Sequence, residues 1–310
     1  MTTALPYIDA DEFARLLPMP AAIDALDATF ATADPDDPPR SHVGIPDGDL
    51  LLMPAASADG VGVKLVTVTP GNPGRDLPLI QGLYVLFAPG TNAPLLMIDG
   101  AAMTALRTAA VSGVATRHLA RPDSARLVVI GAGTQARSHV TAMRAVRPIE
   151  HVTVISRTEA SARSLVDALR AESIDATVGQ PAAIRDADVI CTCTTSDEPV
   201  VAGAQLAPGV HVNAVGAYRP DARELDTTVL RRGRIVVEQR AAALEEAGDL
   251  CIPIADGALT ADDIVADLRQ VVSGAEVRRD DDDITVFKSV GLAMEDLAIA
   301  VAVARRAERH

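Results

Sequence analysis

Residues 128–136 read VVIGAGTQA, a strand-forming apolar run that breaks into Gly131-x-Gly133-x-x-Ala136 and continues as a helical pattern. Glycine at 131 permits the tight turn out of a strand, and glycine at 133 lets a pyrophosphate come close to the main chain. The small Ala136 keeps the helix against the sheet, and the helix N-terminus offers N–H groups to the anion. Thr134 and Gln135 fill the same turn. A glycine turn that binds nothing would have the same spelling, so the flanking sequence has to decide.

Downstream, apolar runs at 127–130, 152–155, 176–179, 188–194, 210–215 and 234–238 alternate with helical patterns, among them 135–147 and 159–170. Strands alternating with helices of about 10–15 residues predict a doubly wound parallel sheet, the Rossmann type of α/β fold. Its ligand edge lies at the C-terminal ends of the strands, where Thr194 stands. The second strand ends in Ser156-Arg157-Thr158, where an NAD-specific fold would carry an acid for the ribose 2′-hydroxyl. A guanidinium between two hydroxyls suits a 2′-phosphate instead, so NADPH is expected, with NADH the alternative. The bland reading is that Thr158 caps the next helix and Arg157 is solvated.

Upstream the pattern is mixed α+β. Helical stretches within 9–30 are interrupted by Pro18 and Pro20, and the turn-rich 31–40 follows. Strand patterns at 50–53, 61–69, 79–87 and 95–98, the later ones separated by turn signals, predict an antiparallel or mixed sheet. Asp99 is positioned to cap a long helix rich in Ala, Ser, Thr and Gly, which Pro122 stops. The helical pattern over 290–306 is expected to return to this first domain.

Composition removes other classes. The 310 residues carry 28 Lys+Arg against 42 Asp+Glu, a formal net charge of −14, with 48 % hydrophobic residues, three Tyr, four Phe and no Trp. That chain can bury a core, but it lacks the basic face and the stacking aromatics of a nucleic-acid binder. It contains no apolar run of about 18 residues, and its first residues do not read as a secretory signal. Three cysteines cannot all pair, which fits a reducing cytoplasm. Cys191 and Cys193 read as core packing rather than zinc ligands, and the acidic run 280–283 as a solvated loop.

Cations are scarce among the apolar and small residues of the first domain. Arg40 follows the Pro-rich connection, Lys64 interrupts a strand, and Arg107 sits in the Ala-rich helix. Unpaired buried charge is costly, so each needs either an internal acid or an anionic ligand such as a carboxylate.

With these residues in view, the sequence resembles the ornithine cyclodeaminase/μ-crystallin family. The matching stretches run in order through almost the whole chain: Arg40 with 50–55 (LLLMPA), then 62–73, 98–113, 128–136, 212–226 (VNAVGAYRPDARELD), 246–254 (EAGDLCIPI) and 285–298 (TVFKSVGLAMEDLA). The resemblance implies a substrate-binding and dimerisation domain of 1–115 with 292–310, an NAD(P)-binding Rossmann domain of 116–291, and a homodimer acting on small amino or imino acids. It implies that Arg40, Lys64 and Arg107 meet the substrate carboxylate and the reacting atoms. Gly131, Gly133, Thr134 and Gln135 hold the pyrophosphate, Ser156, Arg157 and Thr158 resemble the NADPH-using branch, and Lys288 and Ser289 close over the nicotinamide. Thr194, Val215 and Gly216, at strand ends, complete the expected cofactor set.

One departure matters. Ornithine cyclodeaminases carry an Asp shortly after the VNAVG-type strand, for the side-chain amine, where this chain has Tyr218; Asp221 stands three residues further on. A phenol, neutral near pH 7, cannot take that role. The implied activity is therefore NADPH-dependent reduction of imino acids such as Δ1-pyrroline-2-carboxylate or Δ1-piperideine-2-carboxylate, with Tyr218 lining the substrate site. Ornithine cyclodeamination, an amino-acid or opine-type dehydrogenase, and a non-catalytic NADPH-dependent binder of small ligands are the alternatives.

Overall fold

In the first part of the chain large apolar residues recur at every second position, and that period builds a sheet with one dry face. The computed structural model describes residues 5–32 and 40–309, so most of the turn-rich 31–40 connection lies outside the described residues. Strand β1 (Tyr7–Ile8) leads into helix α1 (Ala10–Leu16), whose N-cap Asp9 accepts a hydrogen bond from the Glu12 N–H at 2.9 Å. Helix α2 (Met19–Thr32) starts just past Pro18 and carries Pro20 in its first turn, where a missing N–H costs nothing. Strands β2 (Ser41–Ile45), β3 (Gly48–Ser57), β4 (Gly60–Val68), β5 (Ile80–Phe87) and β6 (Pro94–Asp99) follow. They form a sheet in the order β1-β6-β5-β4-β3-β2, with only the β1–β6 pair parallel. The sequence pattern had no signal for β1 or β2.

On the inner face Leu51, Met53, Val66, Tyr84 and Leu86 are buried, and α2, packed against the C-terminal helix, buries Ala22, Ile23, Leu26 and Phe30. Each large apolar side chain so buried contributes about 1.5–3 kcal/mol. The other face carries cross-strand rows, Leu52–Leu65–Leu83 and Pro54–Val63–Val85–Met97, that are half-buried or exposed. Helix α3 (Gly100–Leu119) begins at Asp99, whose Oδ1 accepts the Ala102 N–H at 2.8 Å.

The remaining elements alternate. Strand β7 (Arg126–Ile130), helix α4 (Thr134–Val146), β8 (His151–Ile155), α5 (Glu159–Ala171), β9 (Ala176–Val178) and β10 (Val189–Thr192) come first. Then come β11 (His211–Ala214), α6 (Thr227–Arg232), β12 (Gly233–Val237), α7 (Arg240–Glu246), α8 (Gly248–Ala255), β13 (Ile264–Asp267), α9 (Leu268–Val272), β14 (Ile284–Lys288) and α10 (Ala293–Ala307). The second sheet has the order β13-β12-β14-β11-β10-β7-β8-β9, and every pair in it is parallel. Its strands are mostly apolar because both faces are covered; Val128, Ile190, Val212, Val237 and Val286 share one core. The connections leave β7 and β10 in opposite directions, which makes the gap between them the switch point where such sheets bind ligands. Strands β13 and β14 were not expected; β14 inserts between β11 and β12.

The chain divides into two compact units, Met1–Arg107 with Leu292–His310, and Thr108–Gly291. The first division falls inside α3, as does the 115/116 boundary read from the sequence. Among the described residues no helix is long and apolar enough to cross a membrane.

Candidate functional site

In the second unit the glycine turn joins β7 to α4 at the switch point. Gly131 has φ +120°, its N–H donates to the Ile155 carbonyl at 2.8 Å, and a Cβ there would lie 2.3 Å from the Cys193 carbonyl oxygen. The chain itself therefore requires this glycine. Gly133 is different: a Cβ added to it meets nothing within 4 Å. Nothing inside the protein explains a glycine there, whereas a ligand lying against the main chain does. Gly133 is also the N-cap of α4 and supplies no side-chain cap to the first-turn N–H groups, with Thr134 exposed and Gln135 half-buried. Ala136 is fully buried against the sheet. These features fit a pyrophosphate group.

At the end of β8, Ser156 is half-buried and Arg157 is exposed, without an ion pair or hydrogen bond among the described residues. Thr158 occupies the N-cap of α5 but gives no side-chain capping bond; its hydroxyl meets Ser161 Oγ at 2.7 Å. The capping explanation for this triplet is thus absent.

The strand ends on the ligand edge are tied by buried carboxylates that sequence reasoning missed. Glu224, fully buried, accepts from Thr192 Oγ1 at 2.6 Å, the Thr194 N–H at 2.8 Å, Thr194 Oγ1 at 2.7 Å and the Gly216 N–H at 2.7 Å. It locks the loops after β10 and β11 together, and the Val215 N–H adds a bond to the Thr192 carbonyl at 3.2 Å. Asp249 accepts the Glu224 and Leu225 N–H groups, both at 2.8 Å, and pairs with Lys288 at 2.9 Å. Lys288 is fully buried and also donates to the Ala217 carbonyl at 2.5 Å. Ser289 Oγ donates to Glu238 Oε1 at 2.5 Å, and Glu238 also accepts the Val290 and Gly291 N–H groups. The polar atoms of Lys288 and Ser289 are therefore turned inward, in place of the outward approach expected of them. Tyr218, next to Ala217, is half-buried, and Asp221 is exposed and paired with Arg219 at 3.0 Å.

Neither sulfur of the Cys191-Thr192-Cys193 segment has metal-binding company. Cys191 is buried, with Asn213 Nδ2 at 3.7 Å, and no His/Cys/Asp/Glu group suited to a metal ion occurs among the described residues. In the acidic loop, Asp280 Oδ1 accepts the N–H groups of Asp282 and Asp283, which closes a turn rather than a cation site.

In the first unit the three cations read from the sequence converge. Arg40 stands half-buried at the entry to β2, Lys64 points inward from β4 with 1 % exposure, and Arg107 is buried on α3. Facing them are Glu295 and Asp296, both fully buried in the first turn of α10. Lys64 Nζ lies 2.9 Å from Asp296 Oδ1 and 2.7 Å from Oδ2. Arg107 NH1 lies 3.0 Å from Glu295 Oε2, and its Nε 3.3 Å from Asp296 Oδ1. Burial and then the charge of Arg107 lower the Lys64 ammonium to about 8, with Asp296 pulling the other way and Arg40 adding a smaller push. A lysine so tuned can donate a proton as the ammonium, or take one as the amine, near neutral pH. The one sequence trace of the acids is that Glu295-Asp296 interrupts an otherwise apolar helix, LAMEDLAIAVAVA.

Known proteins resemble the chain along most of its length. A Δ1-pyrroline-2-carboxylate reductase of Bacillus cereus is 42 % identical over 262 residues, 81 % of this chain and 79 % of the relative. The structure of the Thermococcus litoralis Δ1-pyrroline-2-carboxylate reductase in complex with NADH and L-proline matches with a TM-score of 0.93 and 32 % identity, over 99 % of this chain and 98 % of that one. An archaeal alanine dehydrogenase dimer with bound NAD matches with a TM-score of 0.92 and 32 % identity, over 98 % and 96 % of the two chains. The sequence profile of the ornithine cyclodeaminase/mu-crystallin family matches residues 9–310, and the chain belongs to that family.

Proposed function

We propose that the protein is an NADPH-dependent reductase of cyclic imino acids, with Δ1-pyrroline-2-carboxylate and Δ1-piperideine-2-carboxylate as its substrate class and the cyclic amino acid as product. The observation that carries this reading is the buried Lys64 ammonium, set among Arg40, Arg107 and two carboxylates. Similarity to two Δ1-pyrroline-2-carboxylate reductases, one of them holding L-proline, supports it.

In this reading Arg40 and Arg107 hold the substrate carboxylate, the anion for which guanidinium groups are suited. Lys64 gives a proton to the imine nitrogen, so the ring becomes an iminium and its carbon a better electrophile. A reduced nicotinamide supplies the hydride that this carbon receives. The C=N π pair then remains on nitrogen as the amine lone pair, and the Lys64 amine regains a proton from water. Gly131, Gly133, Thr134 and Gln135 would hold the pyrophosphate, and Ser156, Arg157 and Thr158 the 2′-phosphate. Thr194, Val215 and Gly216 present the ligand edge that Glu224 braces, and Lys288 and Ser289 brace it from inside. Since the two solved structures named above carry NADH or NAD, the choice of NADPH rests on the Ser156-Arg157-Thr158 triplet, and NADH is the alternative.

The same reading gives the unit Met1–Arg107 with Leu292–His310 the substrate-binding and dimerising role, and Thr108–Gly291 the NADP-binding role. A homodimer through the outer face of the first sheet is supported by its rows of half-buried apolar residues. A cytoplasmic location is supported by three free cysteines. Against ornithine cyclodeamination stands Tyr218, with Asp221 held by Arg219 instead of replacing the missing acid. The test is a panel of imino, keto and amino acids followed by NADPH absorbance in both directions. Turnover of cyclic imines with formation of the cyclic amino acid is expected; turnover confined to open-chain keto acids with ammonia would make it an amino-acid dehydrogenase.

A further inference from the structure

We propose that Asp296 is a positioning residue that keeps the Lys64 ammonium charged at neutral pH, while Glu295 beside it pairs with Arg107. One turn of α10 thereby separates proton delivery from carboxylate binding. The inference rests on the reductase reading above.

The geometry divides the labour. Both oxygens of Asp296 lie on Lys64 Nζ, at 2.9 and 2.7 Å, and one of them also meets Arg107 Nε at 3.3 Å. Glu295 reaches Arg107 NH1 at 3.0 Å. Both acids are fully buried, in a helix whose neighbouring positions Leu297, Ile299 and Ala300 are apolar core. Burying carboxylates is strongly unfavourable without partners, so packing alone does not account for either of them.

The surroundings of Lys64 give the sign. From α3 it faces the Arg107 guanidinium, and Arg40 adds positive charge from the entry to β2. Across the sheet its neighbours are Tyr84 on β5 and Met53 on β3. Burial and both guanidinium groups favour the neutral amine, and Asp296 favours the ammonium. Taking away the Asp296 charge leaves the others unopposed, so Lys64 gives up its proton at lower pH. Imine reduction consumes that proton: the Lys64 N–H bond breaks, an N–H bond forms on the ring nitrogen, and hydride arrives at carbon. Oxidation of the cyclic amine runs the same bonds backwards and needs the neutral amine. Losing Asp296 must therefore move the pH limbs of both directions toward acid, which a purely structural role would not do.

The experiment measures kcat against pH for Δ1-pyrroline-2-carboxylate reduction and L-proline oxidation, with saturating cofactor, in wild type, Asp296→Asn, Asp296→Glu and Glu295→Gln. In Asp296→Asn both limbs should move to acid by about one pH unit or more, close to a tenfold change in reduction on the falling limb. Asp296→Glu should restore much of the wild-type profile. Glu295→Gln should raise KM for the imino acid about fivefold or more with the limbs in place. A uniform fall of kcat in Asp296→Asn with unmoved limbs overturns the proposal, as does a Glu295→Gln limb that moves as far. A thermal melt reports whether Asp296→Asn is folded; if it is not, the Asp296→Glu and Glu295→Gln profiles decide. A wild type inert toward the imine removes the reductase reading and this inference with it, whereas an active wild type with unmoved limbs removes only the inference.

Discussion

Replacing Arg157 by Ala isolates the cofactor choice, because Arg157 is exposed and makes no ion pair or hydrogen bond among the described residues that its loss would break. Folding stability should stay within about 0.5 kcal/mol of wild type, as for a surface substitution away from structural contacts. What disappears is a charge-assisted contact to a 2′-phosphate, worth about 1.5–3 kcal/mol, or roughly 10- to 150-fold in affinity. NADH has no 2′-phosphate, so its affinity should barely change. Fluorescence or calorimetric titration of both cofactors into wild type and Arg157→Ala checks this, with a thermal melt as control. Wild type should bind NADPH at least about tenfold more tightly than NADH, and the variant should bind them nearly alike. Equal affinities in the wild type, or an Arg157→Ala that loses NADH as strongly as NADPH, would refute the reasoning.

The two glycines of the turn should separate fold from binding. Gly131→Ala, at φ +120° and 2.3 Å from a carbonyl oxygen, should cost of order 1–3 kcal/mol or more in urea unfolding. Gly133→Ala, with open space around its Cβ, should fold as wild type yet weaken NADPH binding about tenfold or more. Lys288→Met leaves the buried Asp249 carboxylate without its cation, and a loss of about 3–5 kcal/mol is expected in the same unfolding assay. Leu65→Asp, placed between Leu52 and Leu83 on the outer sheet face, should convert a dimer to monomer in light scattering; a wild type that is monomeric at all concentrations contradicts the dimer.

The parallel sheet was legible because strands covered on both faces are spelled as uninterrupted apolar runs, as in Leu127–Val128–Val129–Ile130 and its neighbours. Strand β14 escaped because its run ends in Lys288 and follows an acidic tract, so it reads as a loop flank. Strand β2 escaped for a different reason: Ser41–Ile45 is an edge strand without a dry face, and its five residues show no alternation. The cations Arg40, Lys64 and Arg107 were legible because charge is conspicuous among apolar neighbours. Their acids were not. In a chain with 42 Asp and Glu, a carboxylate reads as solvated by default, and only tertiary structure shows that Glu224, Asp249, Glu295 and Asp296 are fully buried. The motif assigns Gly131 to the turn and Gly133 to the ligand, and the fold adds the physical reason, a carbonyl oxygen against a Cβ at 131 and open space at 133.

The most direct test of the central claim is product analysis of the purified protein given NADPH with Δ1-pyrroline-2-carboxylate, and in parallel NAD with L-ornithine. Stoichiometric NADPH oxidation with proline formed from the imine is predicted, and neither proline nor ammonia from ornithine. Release of ammonia from ornithine together with no reduction of the imine would contradict it.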